Sequence, residues 1–307
     1  MQTAETATPG HLLACVIRSE VESRLGAGGV VGLESVVFAH GLPRVDAVAL
    51  AEAVVDAIHG VGGEPAICAI VGGIPRVGLS IRDVETFLDR HPIKVTPAGL
   101  PPAMAGGLDA ATTAGSTMVL CHQAGIRVVA TGGIGGVHRG RVRDVSADIS
   151  CLSKLPLVVV CSGAKSLLDV SATFEALETE GVTVVGFQTG EIPGFYTVAT
   201  GLKAPWTANS PHEVADIWSS ARRMGLQGAV LVLNPPPAEY AYPIEVIERA
   251  VTQAVASSEG VSGPDVTPHQ LRHIQDMLGP GSIHLNRELL IANARLAAQI
   301  SVAVGGR

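Results

Sequence analysis

Aromatic side chains and lysines are scarce in this chain. Only 3% of its 307 residues are aromatic, and Lys94, Lys154, Lys165 and Lys203 are its four lysines. A core must therefore be built from Ala, Val, Leu and Ile. Basic charge is short as well: 21 Lys and Arg face 28 Asp and Glu, a net charge of −7. That balance excludes the basic face of a general nucleic-acid binder. Cysteine is sparse and unpaired in pattern. The five residues Cys15, Cys68, Cys121, Cys151 and Cys161 form no C-x-x-C. Cys68, Cys121 and Cys161 sit in apolar runs, which predicts buried reduced thiols and a cytoplasmic location. No apolar run reaches the ~20 residues of a bilayer span, and Glu5, Arg18 and Glu20 flank only a short apolar patch near the N-terminus, so neither a membrane partner nor a signal peptide is expected. No Ser/His/Asp set can be paired by spacing, which leaves serine-hydrolase chemistry without support.

What is present is alternation. Short β-branched runs at Gly29–Leu33, Ala66–Val71, Val128–Ala130, Leu157–Cys161, Val182–Phe187 and Ala229–Leu233 have the pattern of strands buried on both faces. Helix-period segments lie between them, at Val45–His59, Ile81–Leu88, Thr112–Ala124, Ser166–Glu178, Pro211–Met224 and Ile244–Ser257. Two more follow, at Pro268–Leu278 and Arg287–Val304. Ser80 with Asp83, and Ser210 with Glu213, supply helix-start signals. The order predicts a three-layer α/β/α sandwich around a mixed, largely parallel sheet, in one domain over residues 1–307.

Five loops carry more polar and glycine residues than a scaffold needs. Glu34 closes the first buried strand, at the end where α/β sheets place ligands. Residues 110–117, A-A-T-T-A-G-S-T, open a helix with small and hydroxylated residues and suit a phosphate. Residues 131–140, T-G-G-I-G-G-V-H-R-G, hold five glycines without a dinucleotide fingerprint or a P-loop. They imply either positive φ at several positions or a ligand against the main chain, with His138 and Arg139 near an anion. Asp144 and Asp148, four apart, fit one face of a helical turn and could hold a hard divalent ion with waters and a sugar phosphate. The fifth, residues 158–166, V-V-V-C-S-G-A-K-S, delivers Lys165 from a buried strand to an expected helix start. Dipole and apolar surroundings there would disfavour the ammonium, and a neutral amine forms a Schiff base with a carbonyl. His40 is an open candidate, whereas His59, His91, His122, His212, His269 and His273 occupy ordinary structural positions.

Together these segments resemble the pseudouridine-5′-phosphate glycosidase family, also called indigoidine synthase A-like. The marks are G-L-E-S at 32–35, H-G-L-P at 40–43, A-T-G-G-I-G-G-V-H-R-G at 130–140, D-V-S-A-D at 144–148 and G-A-K-S at 163–166. N-P-P-P-A-E-Y-A at 234–241 and N-A-R-L-A at 293–297 extend the likeness over nearly the whole chain. The resemblance implies a homotrimer acting on ring-opened ribose 5-phosphate, with a divalent metal, typically Mn2+. It implies Lys165 as the Schiff-base nucleophile, Glu34 as acid/base and Asp144 as metal ligand. Lys94, Thr112, Thr113, Ala114, His138, Ser146, Ala147, Asp148 and Asn293 are the substrate-binding positions it points to.

The chain departs from that pattern in places. Val36 stands where the family usually has Thr, and Ala39 where it has Ser. Lys94-Val95-Thr96-Pro97-Ala98-Gly99-Leu100-Pro101 replaces the usual K-V-S-R-R-D-L-P, and a shortened loop carries Arg141 and Arg143. Hydroxyls, arginines and a carboxylate that could serve a uracil are gone, and each lost partner costs about 1–3 kcal/mol. The expected acceptor is therefore a fused aromatic. This matches the C-ribosylating branch of the family, which joins ribose 5-phosphate to an aromatic polyketide in alnumycin antibiotic biosynthesis. Two alternatives stand beside it: cleavage of pseudouridine 5′-phosphate to uracil, and a non-catalytic sugar-phosphate-binding protein.

Overall fold

Apolar β-branched runs pair into a sheet because strands covered on both faces expose no polar side chain to the layers above and below. The computed structural model describes residues 15–140, 144–257 and 266–305. Its strands are β1 (Val16–Ile17), β2 (Val30–Glu34), β3 (Glu64–Val71), β4 (Ile74–Val77), β5 (Ile93–Val95), β6 (Ala110–Thr112) and β7 (Val128–Ala130). They continue with β8 (Val137–His138), β9 (Val158–Cys161), β10 (Leu168–Asp169), β11 (Thr183–Phe187), β12 (Trp206–Ala208) and β13 (Val230–Leu233). The main sheet runs β1-β4-β3-β2-β7-β9-β13-β11-β12, with β6 also on β3 and β5 on β6, while β8 and β10 pair separately. The run from β3 through β2, β7, β9, β13 and β11 to β12 is parallel; β4 and β6 join β3 antiparallel. The sheet is mixed and largely parallel, as the sequence predicts.

The helices at Arg44–His59, Pro211–Arg223 and Pro280–Gly305 form one layer, and those at Ala114–Gln123, Ala147–Lys154 and Val170–Thr179 the other. The last helix, Pro280–Gly305, is long and apolar enough to cross a membrane by length and composition, a property the run-length reading missed. Half of its 26 residues are buried, and it packs against β2, β7 and β9, the environment of a core helix. Cys68, Cys121 and Cys161 are fully buried free thiols, as expected.

Two expected helices start late. Residue Thr112 ends β6, so that helix runs Ala114–Gln123. The helix expected from Ser166 begins at Val170, because Leu168–Asp169 first pairs with Val137–His138 and the Asp169 side chain then caps Ala172 N. Periodicity sees the apolar residues but not the strand pairing that claims them.

Chain order creates a switch point. From β2 the chain moves to β3 on one side, and β7 later returns to the other side of β2. The carboxyl ends of β2 and β7 therefore flank a crevice, the place where α/β sheets bind ligands. Fully buried Asn293 ties the neighbouring strand ends together. Its Nδ2 donates to Thr131 O at 2.9 Å and to Ser162 Oγ at 3.1 Å, and its Oδ1 accepts from Asn234 Nδ2 at 3.0 Å. Thr131, Ser162 and Asn234 directly follow β7, β9 and β13. Replacing Asn293 with Leu leaves these polar groups unpaired in the core. The variant is expected to lose about 2–4 kcal/mol in urea unfolding; an unchanged midpoint would remove the knot from this account.

Candidate active site

Glu34 is 3% exposed at the end of β2, and Thr131, 0% exposed at the end of β7, donates its hydroxyl to Glu34 Oε1. Burial pushes the Glu34 carboxyl above the usual carboxylate range. Lys165, the Thr131 hydrogen bond and Lys94 pull against that shift, while Asp148 adds to it. Three charged groups, Lys165, Glu34 and Asp148, act on Lys94, whose ammonium is pushed below the usual lysine range, first by desolvation and then by Lys165. Lys94 is exposed as a whole residue, yet its ammonium interacts electrostatically with this cluster. Of the other lysines, Lys154 bonds Ser150 Oγ and Lys203 pairs by main chain with Glu191. Spacing alone could not have selected Lys94.

Lys165 is half-buried in the loop after β9, five residues before the Val170 helix rather than at its start. The helix-dipole argument made from the sequence therefore falls. Main-chain bonds position the residue instead: Lys165 N donates to Ile134 O and Ile134 N to Gly163 O, both at 3.0 Å. The glycine loop is thus strapped along the Lys165 segment.

That strapping explains the glycines. Gly132, Gly133, Gly135 and Gly136 do not have positive φ; of the run only Gly140 does. A Cβ on Gly133 would stand 2.5 Å from the Phe195 ring, one on Gly135 2.2 Å from Ser146 Oγ, and one on Gly136 2.3 Å from Thr173 Oγ1. Side chains of the protein itself, not unusual dihedrals, exclude larger residues here.

Asp148 is buried, with Oδ1 accepting from Gly115 N at 2.9 Å and Oδ2 from Gly135 N at 2.7 Å. Its carboxylate already occupies part of the helix N-terminus that the sequence offers to a phosphate. Asp144 and Asp148 do not share a helical turn. Asp148 is the second residue of the Ala147–Lys154 helix, capped by Ser146, whereas residues 144–146 lie along 136–138, with His138 N on Asp144 O at 2.9 Å. Ala147 opens the same helix.

Thr112 is fully buried, its hydroxyl donating to Cys68 O and accepting from Thr117, which leaves that hydroxyl to the scaffold. Thr113 and Ala114 sit at the start of the Ala114–Gln123 helix, with Thr113 Oγ1 3.2 Å from Ser116 Oγ. The Asn293 carboxamide is likewise engaged within the fold, so its geometry is that of a positioning residue. His138 is half-buried on β8. His40 donates to the Pro92 backbone and is pushed below the usual imidazole range by partial desolvation and then by Lys94. Arg141 and Arg143 lie outside the described residues. Among the described residues no three of His, Cys, Asp or Glu converge as a metal cage. Thr131, Ser162 and Asn234 were missed from the sequence; each directly follows a buried strand, which was the available signal.

The departures from the family pattern cluster here. Val36 and Ala39 begin and end the short helix after Glu34, and Pro97 Cγ lies 3.1 Å from where a Gly115 Cβ would be, beside Asp148.

The model of the family described as indigoidine synthase A like protein matches residues 20–303. A pseudouridine-5′-phosphate glycosidase of Gemmatimonas aurantiaca is 45% identical over 90% of this chain and 91% of its own. Another, of Methylobacterium nodulans, is 42% identical over 94% and 87%. The crystal structure of an indigoidine synthase A-like protein from Thermotoga maritima superposes with a TM-score of 0.89, at 36% identity over 98% and 100% of the two chains. That of a prealnumycin C-glycosynthase in complex with ribulose 5-phosphate gives 0.87, at 30% identity over 97% and 98%.

The raised Glu34 carboxyl has a consequence for stability. The folded chain holds this proton more tightly than the unfolded chain, so the contribution is full below the ordinary carboxylate pKa of about 4.3 and is lost as pH rises through the folded value. Glu34→Gln lacks that loss. Its melting temperature relative to the native chain is expected to climb between about pH 4 and pH 8; a flat difference would mean that Glu34 ionises normally.

Proposed function

The chain belongs to the indigoidine synthase A-like family, and from this we propose that it makes or breaks the carbon–carbon glycosidic bond of a ribose 5-phosphate C-glycoside through a Lys165 Schiff base. The observation that carries the reading is the buried Glu34 carboxyl, held high and coupled electrostatically to Lys165. A binding protein needs neither a proton donor in the core nor an amine beside it, which disfavours the non-catalytic alternative.

In cleavage, the neutral Lys165 amine adds to sugar C1 and the ring oxygen leaves, taking a proton from Glu34. The nitrogen, an ammonium after this attack, gives a proton to the Glu34 carboxylate; its freed lone pair then expels the departing ring carbon, which takes that proton from Glu34 as the C1 iminium forms. Water hydrolyses the iminium and releases ribose 5-phosphate and the free Lys165. The iminium is the electron sink that an ordinary carbon leaving group lacks. The reverse sequence needs only an electron-rich carbon attacking the same iminium. In this reading Lys94 meets the sugar phosphate, supported by its electrostatic contact with Asp148, and Ser146 and Asp148 contribute to substrate binding. A divalent ion such as Mn2+ would rest on Asp144 with water and substrate oxygens, a donor set that suits hard, hydrated cations, and would supply charge neutralisation at the phosphate.

Two acceptors remain in play. The names of relatives 38–45% identical over most of the chain favour uracil, with pseudouridine 5′-phosphate as substrate. The position of Val36, Ala39 and Pro97 around Glu34 and Asp148 favours the second reading, an aromatic polyketide as acceptor. The C-glycosynthase at 30% identity is compatible with that second reading.

Borohydride reduction in the presence of ribose 5-phosphate is expected to leave a covalent sugar-phosphate mass on the Lys165 peptide and none in Lys165→Ala. No adduct in the native chain would end the Schiff-base reading, and a Lys165→Ala enzyme of near-native rate would point to ordinary N-glycoside hydrolysis. Pseudouridine 5′-phosphate separates the acceptors: uracil release at ~1 s⁻¹ or faster establishes the first, and release orders of magnitude slower the second.

A further inference from the structure

Phe195 holds a backbone conformation that aromatic residues rarely adopt. Among the described residues three non-glycines have positive φ: His91, Gln188 and Phe195. His91 and Gln188 are exposed, whereas Phe195, at φ +66°, is 8% exposed. In the left-handed region the Cβ of an L-residue crowds its own main chain, so the conformation persists only where its surroundings over-determine it. Hydrogen bonds supply that constraint. Phe195 N donates to Ser162 O at 2.9 Å, Gly194 N to Thr197 O at 3.0 Å and Tyr242 N to Tyr196 O at 2.8 Å. The Pro193 carbonyl oxygen stands 2.2 Å from where a Gly163 Cβ would be. Residues 193–196 are therefore pinned to the segment that leads from β9 to Lys165.

This backbone lays the Phe195 ring over two glycines. Its Cε2 is 3.6 Å from where a Gly132 Cβ would be, and its Cδ2 2.5 Å from where a Gly133 Cβ would be. Gly132 and Gly133 are the whole link between Thr131, whose hydroxyl meets Glu34, and Ile134, whose carbonyl receives Lys165 N. A glycine pair has the widest choice of φ and ψ and no side chain with which to anchor itself. Leu289 shares the cover of Gly132, and the ring atoms are the nearest neighbours at Gly133.

We infer that Phe195 is a positioning residue: its ring is the stop that sets the Gly132–Gly133 link, and through it the placement of Lys165 relative to Glu34. The effect on rate rests on the Schiff-base reading above; the effect on the loop does not. A purely structural ring would lower stability and leave the rate per folded molecule unchanged.

The test follows adduct formation on Lys165 at saturating ribose 5-phosphate, with borohydride in excess so that imine formation limits the rate, and amide hydrogen exchange beside it. Phe195→Ala is expected to slow trapping about 10- to 100-fold, with the half-saturating sugar-phosphate concentration within ~3-fold of native. Exchange at Ile134 and Lys165 should quicken at least ~10-fold relative to Val230–Leu233 in β13. Gly133→Ala by itself drives a methyl into the ring and should slow trapping as well; in the Phe195→Ala background its effect should shrink at least ~5-fold. Phe195→Leu keeps part of the volume and serves if the Ala variant folds poorly, with a smaller loss and the same local pattern of exchange. A native trapping rate in a folded Phe195 variant, exchange quickened evenly over the chain, or additive Phe195 and Gly133 effects would each overturn the proposal. An absence of adduct in the native chain would instead end the Schiff-base reading, and the exchange pattern would then decide by itself whether the ring sets this loop.

Discussion

One carboxamide holds the carboxyl end of the sheet. Asn293 comes from the final helix, yet its hydrogen bonds reach the residues that directly follow β7, β9 and β13. Strand ends carry main-chain carbonyls that the sheet no longer pairs, and in a core they must find donors. Asn293 gives one such donor to the Thr131 carbonyl and ties in the Ser162 and Asn234 side chains, which fixes the relative heights of the three strand ends. Thr131, held this way through its carbonyl, is the residue whose hydroxyl meets Glu34. The loop that carries Lys165 leaves from Ser162, held in the same knot. The geometry between acid and amine is thus set by a residue that need touch no substrate.

Close packing does the rest of the positioning. The glycine run 132–136 lets the loop lie flush against the Lys165 segment, Phe195, Ser146 and Thr173. Gly163, at φ +96°, lets the Lys165 segment pass within contact of the Pro193 carbonyl. Asp148 binds this loop to the start of the Ala114–Gln123 helix. A Glu34 carboxyl raised by burial and a Lys94 ammonium lowered by desolvation then form a site whose charges depend on one another, with the Lys165 charge acting on both.

Much of the candidate chemistry lies on the carboxyl side of the sheet because parallel strands all end there. β2 ends in Glu34, β7 leads to Thr131 and β9 leads toward Lys165. The antiparallel additions β4 and β6 lie off this face of the argument, though β6 delivers Thr112 as a buried link between Ser35 and Cys68. Val36 and Ala39 bound the short helix that follows Glu34, and Pro97 packs beside Gly115, the residue whose N–H bonds Asp148.

The sequence by itself determined the alternation of apolar strands and amphipathic helices, hence the three-layer class, because two-sided burial and helical periodicity are local patterns. It also singled out Glu34 and Lys165, since each follows a buried strand, and the family motifs were legible as ordered strings. Only the tertiary structure decided why Lys165 is held as it is. The helix expected at Ser166 yields to the pairing of Leu168–Asp169 with Val137–His138, a contact between segments some thirty residues apart that periodicity cannot register. Likewise Asn293 became a structural knot and Thr112 a scaffold hydroxyl, because hydrogen-bond partners far away in sequence, not residue type, determine which polar groups are left for a ligand.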